Sequence, residues 1–495
     1  MLLWSDMTGL KEIYGLDIRS INMFRVVLGG TLICQVIGYV LMNFGTMFSP
    51  ETGALGNGFA ADYIAAYTGP EWLFKIDSDF GMLVFIGIRL LFLILFTVGF
   101  FPRLAALVSA ILLWLFQVRY NVLFLGWEMF AAVLISFSVF FPWNRKPEGR
   151  FEWRSPLAFV TLFQIGFIYF YNGISKNGHK WLDGTAVKFF LAEFDKSRPL
   201  AFQVIELDWL TSFMTYSTLI VEVGILILLF FPFKNSLLRY VVVFLILTLH
   251  WGIDLFVNVG FFKWYAVCMA VLLLPGSFWN RLSSPIQNLI KRAGPFRTLA
   301  MPSGKLAKYT ESVVAISLVY MIVLTNLNQT VSSKTNDRVG RFLKESKLSI
   351  PVRKLTPNWW PQYSFMRQFW HLYSPDPPSE KGYMQFEIIT QVDTFRVSNG
   401  HNLSEGQLYS SAPERHLMQY LTLRQGRNQR DKIAQRSKLM YEIRKWNANP
   451  MSPRIISVEI VLYSFRPDRP SHISKSPPVF ERIVKQVIDI DYRGT

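Results

Sequence analysis

The chain has 495 residues, 51% of them hydrophobic, 16% aromatic and only 17% charged, with a formal charge of +17. Soluble domains average about 25% charged residues, so this deficit excludes a single soluble domain, and the long apolar runs exclude a disordered chain. The positive charge divides between membrane-flanking loops and the C-terminal region, where anionic lipid headgroups, and not nucleic acid, are its expected partners.

Crossing a bilayer core takes about 20 residues. Nine apolar segments approach that length, near 22–44, 82–101, 103–121, 126–142, 156–175, 210–231, 238–257, 259–275 and 308–327. The spacing therefore predicts an α-helical polytopic membrane domain over residues 1–328. No cleavable signal is expected, because Asp6, Lys11 and Glu12 precede a first run too long for a signal core. Cys34 and Cys268 both fall inside apolar runs and are expected to be buried small residues rather than disulfide or zinc ligands. With the N-terminus inside, the inner loops hold fifteen Lys and Arg, from Lys11 to Lys308, against eight in the outer loops, from Lys75 to Lys263. That bias orients the chain with its N-terminus in the cytoplasm and its C-terminal tail outside.

Residues 329–495 read as a soluble α+β domain on the outer face. Segments 384–392, 455–463 and 483–490 alternate as strands do. Between them, Ile433, Met440, Ile443 and Trp446 keep helical spacing within 414–446. The tail carries 26 Lys and Arg against 15 Asp and Glu, which suits an anionic surface or an acidic partner.

Ionisable residues inside spans are costly and mark candidate sites. In the fifth span Gln164, Ile168, Asn172 and Lys176 recur every four residues and share one helix face. A lysine at a span end commonly snorkels. Burial beside Gly173, His179, Trp181 and Asp183 would instead make Lys176 a base, provided no carboxylate pairs with it. Glu222 stands in the sixth span, and His250 and Asp254 lie four apart in the seventh, where the aspartate is expected to hold the imidazole. A helix–helix clamp is the structural alternative for that pair. Tyr169 and Trp181 are candidate apolar walls for a ring-shaped ligand. Arg89 and Arg119 are read as snorkelling, and no metal site is expected.

The stretches DIRSINMFRVVLGGTLI (17–33), QIGFIYFYNGISKNGHKWLDGTAV (164–187), STLIVEVGILILLFFP (217–232) and LHWGIDLFVNVGFFKWYAVCMAVLLLP (249–275) resemble the HTTM domain, the membrane domain shared with vitamin K-dependent gamma-carboxylase. The tail stretches 369–386 and 440–450 are similar to tails of bacterial HTTM proteins. The resemblance covers roughly residues 15–275 and implies a bacterial inner-membrane location. It also implies a carboxylase-type lyase reaction, in which a lysine deprotonates a reduced quinone of the vitamin K or menaquinone type. Oxygen converts that quinol to a stronger base, which removes a proton from a peptide glutamate. On the motif Asn172-Gly173-Ile174 the base falls on Lys176, with His250 on a recurring family histidine. Gln164, Tyr169, Asn172, Trp181 and Glu222 would then line the quinone site, with His250 and Asp254 joining Lys176 in the chemistry.

The chain departs from the carboxylase at Trp127-Glu128, where that enzyme has a histidine, and in its shorter tail. Three readings follow. One is a quinol-dependent, lysine-base enzyme acting on a peptide or small substrate. The second is a factor for maturation or export of a secreted peptide, resembling sporulation-delaying protein B. The third is a non-enzymatic membrane scaffold.

Overall fold

The computed structural model describes, apart from isolated positions, residues 14–57, 75–123, 126–143, 152–192, 197–232, 235–292, 294–298, 305–332, 381–398, 401–402, 412–424, 429–465 and 481–489. Asp6, Lys11, Glu12 and residues 369–376 of the tail motif lie outside them.

All nine apolar segments form helices: α1 (Ile18–Gln35), α2 (Asp79–Val98), α3 (Pro102–Arg119), α4 (Gly126–Ser138), α5 (Pro156–Ser175), α6 (Asp208–Phe230), α7 (Asn235–Phe256), α8 (Phe262–Leu273) and α9 (Lys305–Ser332). Among the described residues seven helices are long and apolar enough to cross a membrane, the exceptions being the shorter apolar α4 and α8. α4 can be short because it is sheathed in protein, buried from Trp127 to Ser138. In α6 and α7 only 22% of the most apolar window is buried within the protein, so the rest of that apolar surface faces lipid.

Local chemistry sets the helix ends. Ser78 and Ser155 accept from Gly81 and Ala158 N–H groups as N-caps, and Pro102 and Pro156 sit in the first turns of α3 and α5. α2 ends at Gly99, whose φ of 88° suits glycine, and a Cβ there would strike the Arg25 guanidinium. Arg25 in turn donates to the Phe96 and Thr97 carbonyls that the end of α2 leaves unpaired. α1 does not stop at Gln35. It continues through π-helical turns at Val36–Val40 and Phe44–Phe48, irregularities that are frequent beside functional sites. A two-residue ribbon, β1 (Leu16–Asp17) with β2 (Glu152–Trp153), ties the start of α1 to the approach to α5.

The tail forms an antiparallel sheet of β3 (Lys381–Thr390), β4 (Thr394–Ser398), β5 (His401–Asn402), β6 (Ile455–Phe465) and β7 (Glu481–Asp489), in the order β5-β4-β3-β6-β7. The segment read as one helical stretch is two helices, α10 (Ala412–Arg424) and α11 (Gln429–Asn447). Ile433, Ile443 and Trp446 are buried as their spacing requires, but Met440 is exposed. The apolar core of this region is continuous with that of the helices. Polar contacts among the described residues join the two regions: Tyr39 shares a 2.8 Å hydrogen bond with His416, Ser437 donates to the Ala54 carbonyl, and Lys180 donates to the Pro377 carbonyl.

Three expectations change. Cys34 is exposed, and only Cys268 is buried. Arg119 is not a snorkelling side chain: it turns inward and donates to the Leu73 and Ile76 carbonyls. Arg89 is also buried, midway along α2. Both arginines face packed helices, so reaching the membrane surface is not open to them.

Candidate functional site

α5 supplies the centre of the site. Its stripe of Gln164, Ile168, Asn172 and Lys176 is buried along its whole length, as a face turned to the bundle interior must be. α6 packs against α5 at unusually close range because two glycines permit it. A Cβ at Gly166 would lie 3.1 Å from the Leu226 Cα, and one at Gly173 would lie 3.3 Å from the Val223 nitrogen and 3.1 Å from the Glu222 Cβ. That approach carries Glu222 into the stripe.

Glu222 is buried and triply engaged. Lys176 Nζ donates to its two carboxylate oxygens at 2.6 and 2.5 Å, and Asn172 Nδ2 donates to Oε1 at 2.7 Å. The Lys176 ammonium also lies 5.2 Å from the centre of the Trp181 ring, which is itself buried. The expectation that Lys176 stands as a base with no carboxylate beside it is therefore overturned. Asp183, the other carboxylate near it in sequence, pairs instead with His179 at 2.8 Å. The reason is dielectric: a buried ammonium without a counterion would cost several kcal/mol, and Glu222 on the neighbouring helix supplies it.

The His250–Asp254 pair is also corrected. His250 turns into the bundle, where Nε2 shares a 2.9 Å hydrogen bond with the Tyr169 hydroxyl. Asp254, one turn on, is drawn to two cations, Lys263 Nζ at 2.5 Å and Arg198 Nη2 at 3.2 Å. It acts as a clamp between the end of α7 and its flanking segments, leaving His250 Nδ1 buried with no hydrogen-bond partner among the described residues. Tyr169 is thus a hydrogen-bonding residue more than an apolar wall. Glu222 lies within electrostatic range of Tyr169, and Lys176 within range of His250, so the two small networks form one cluster.

The walls are aromatic residues, of which only Trp127 stood out in the sequence, as part of the Trp127-Glu128 departure from the carboxylase. Phe262 lies 4.7 Å and Phe130 6.0 Å from the His250 ring, centre to centre. Trp127, one turn from Phe130 on α4, packs on Phe261 at 5.6 Å. Its Nε1 is buried without a partner among the described residues, and a Cβ at Gly260 would come within 3.4 Å of it. The i, i+3 spacing of Trp127 and Phe130 was legible as a shared helix face. That α7 and α8 would meet that face was not.

Neither a curated protein nor a solved structure matches the chain. A family match covers residues 151–278, a range that contains Gln164, Tyr169, Asn172, Lys176, Trp181, Glu222, His250 and Asp254 but not Trp127. The matching family model is that of the HTTM domain, to which this stretch is similar.

Proposed function

We propose that this membrane protein is a proton-transfer enzyme of the gamma-carboxylase-like type, with Lys176 and Glu222 as a single proton-handling unit. The observation that supports this most directly is the buried Lys176–Glu222–Asn172 cluster, within electrostatic range of a His250 whose Nδ1 has no partner among the described residues. The unit differs from a lone lysine base: Glu222 stabilises the ammonium, and the Nζ lone pair becomes available as a base only when a proton passes from Nζ to a carboxylate oxygen, leaving a neutral amine and a carboxylic acid. Asn172 holds Oε1 in place while that proton moves, and Trp181 keeps water from the ammonium. Tyr169 fixes the orientation of the His250 ring.

The residues suit a reduced quinone. Two buried polar nitrogens without partners among the described residues, His250 Nδ1 and Trp127 Nε1, stand among Phe130, Phe261 and Phe262, which matches a flat ring carrying polar oxygens. Bound, a hydroquinone would supply reducing electrons and an acidic hydroxyl. A peptide or other small acidic substrate remains part of the proposal. Protein purified in native-lipid nanodiscs should yield a co-extracted quinone by mass spectrometry, reduced at least tenfold in His250→Leu. An extract without quinone, together with no quenching of tryptophan fluorescence by added menadione, would sink the redox reading.

We further propose a bacterial inner-membrane location with the N-terminus inside, supported by the fifteen-to-eight loop bias. A phosphatase fused after Thr495 should then be active, since that enzyme works only outside the cytoplasm. A silent phosphatase paired with an active cytoplasmic reporter at the same position reverses the orientation.

A further inference from the structure

Buried arginines in this protein use their guanidinium groups on defined acceptors. Arg19 binds the Asp17 carboxylate at 2.9 Å and the Gly276 carbonyl at 3.2 Å. Arg25 and Arg119 each bind two backbone carbonyls. Arg89 differs from these three. It lies midway along α2 and is 1% exposed, yet neither Nη1 nor Nη2 has an acceptor among the described residues. Phe116 of α3 covers one face of the guanidinium, its ring centre 5.0 Å from Cζ. Glu128 of α4 lies within electrostatic range but accepts from neither nitrogen. The nearby Tyr265 hydroxyl of α8 is already spent on Gln35 of α1.

A buried charge whose two donors find no acceptor among the described residues is costly in a membrane bundle unless something occupies them. The two terminal nitrogens of a guanidinium present parallel N–H groups, a fork that fits two oxygens on one carbon better than a monatomic anion. We propose that Arg89 anchors a second buried binding site, taking a carboxylate-class anion on Nη1 and Nη2 among α1, α2, α3, α4 and α8. The neighbouring Glu128 carboxylate opposes any anion entering this site, so an occupant must engage both nitrogens to offset that repulsion. The inference does not depend on proton transfer at Lys176. Two sources share the required chemistry, free bicarbonate and an organic acid.

The test uses the full-length protein in nanodiscs, titrated with ¹³C-bicarbonate or with benzoate, and with chloride at matched ionic strength as the control. Thermal midpoint and ¹³C line width are the readouts. One of the two anions should raise the midpoint and broaden its signal. The apparent affinity should fall about tenfold in Arg89→Lys, which keeps the charge and loses the fork, and by more in Arg89→Met. Glu128→Gln should tighten binding. A response to bicarbonate alone assigns the inorganic anion, and one to benzoate assigns an organic acid. Responses no different from chloride, or unchanged in Arg89→Lys, overturn the site, and the lysine variant keeps the test valid if the methionine variant does not fold.

Discussion

Glu222→Leu is expected to destabilise the helical bundle by about 3–5 kcal/mol, the penalty for stranding a buried charge. The variant leaves the Lys176 ammonium and the Asn172 amide without their shared acceptor, in a position that is 5% exposed. Lys176→Met should do comparable damage by stranding the carboxylate. The double variant Lys176→Met/Glu222→Leu should lie within about 2 kcal/mol of the parent, because removing both charges removes the desolvation cost along with the attraction. Thermal or denaturant unfolding in detergent measures the cycle. Additive single effects would show that the two residues do not act as a pair. The cycle also separates two readings of the site. A pure helix clamp predicts that the double variant retains bound quinone and every other property, whereas a proton-handling unit predicts a stable bundle without activity.

Lys438→Met should destabilise the tail by a similar amount, about 3–5 kcal/mol. Lys438 on α11 is 1% exposed and joins Glu414 of α10 at 2.7 Å and Glu442 one turn along its own helix. Removing the ammonium leaves two carboxylates facing each other in the core between the helices and the sheet. The triple variant Lys438→Met/Glu414→Gln/Glu442→Gln should recover most of the loss. Limited proteolysis of the tail across a denaturant series reads both effects, and an undiminished midpoint in Lys438→Met would refute the account. The pH dependence has a defined sign. Burial alone pushes the Lys438 ammonium down, but the two carboxylates outweigh it and hold the group above the ordinary lysine value of 10.5. A raised folded value means the contribution is fully present below the unfolded value and is lost only as pH rises past it. Burial pushes the neighbouring Tyr441 phenol up to about 12. Tail stability should therefore be insensitive to these two groups through neutrality and fall only in strongly alkaline solution.

The positions of the spanning helices were legible in the sequence because a bilayer imposes one requirement on every segment: enough apolar length with all backbone polar groups satisfied internally. The predicted 156–175 coincides with α5 at both ends, since Ser155, Pro156 and Asn172-Gly173 mark cap, start and close approach locally. The four-residue recurrence of Gln164, Ile168, Asn172 and Lys176 likewise sufficed to put them on one buried face. Partner choice was a different matter. Asp254 stands one turn from His250, yet it bonds Lys263 and Arg198, while His250 bonds Tyr169, 81 positions away in the chain. Lys176 meets a carboxylate 46 positions away, and Arg89, read from the sequence as snorkelling, lies midway along α2 and turns inward. Sequence by itself determined where the apolar helices lie and which face of α5 is buried, because apolar length and periodicity are local properties. Only the tertiary structure decided which charges neutralise one another, because in a low-dielectric interior each ion takes the nearest compensating group in space, whatever its distance along the chain.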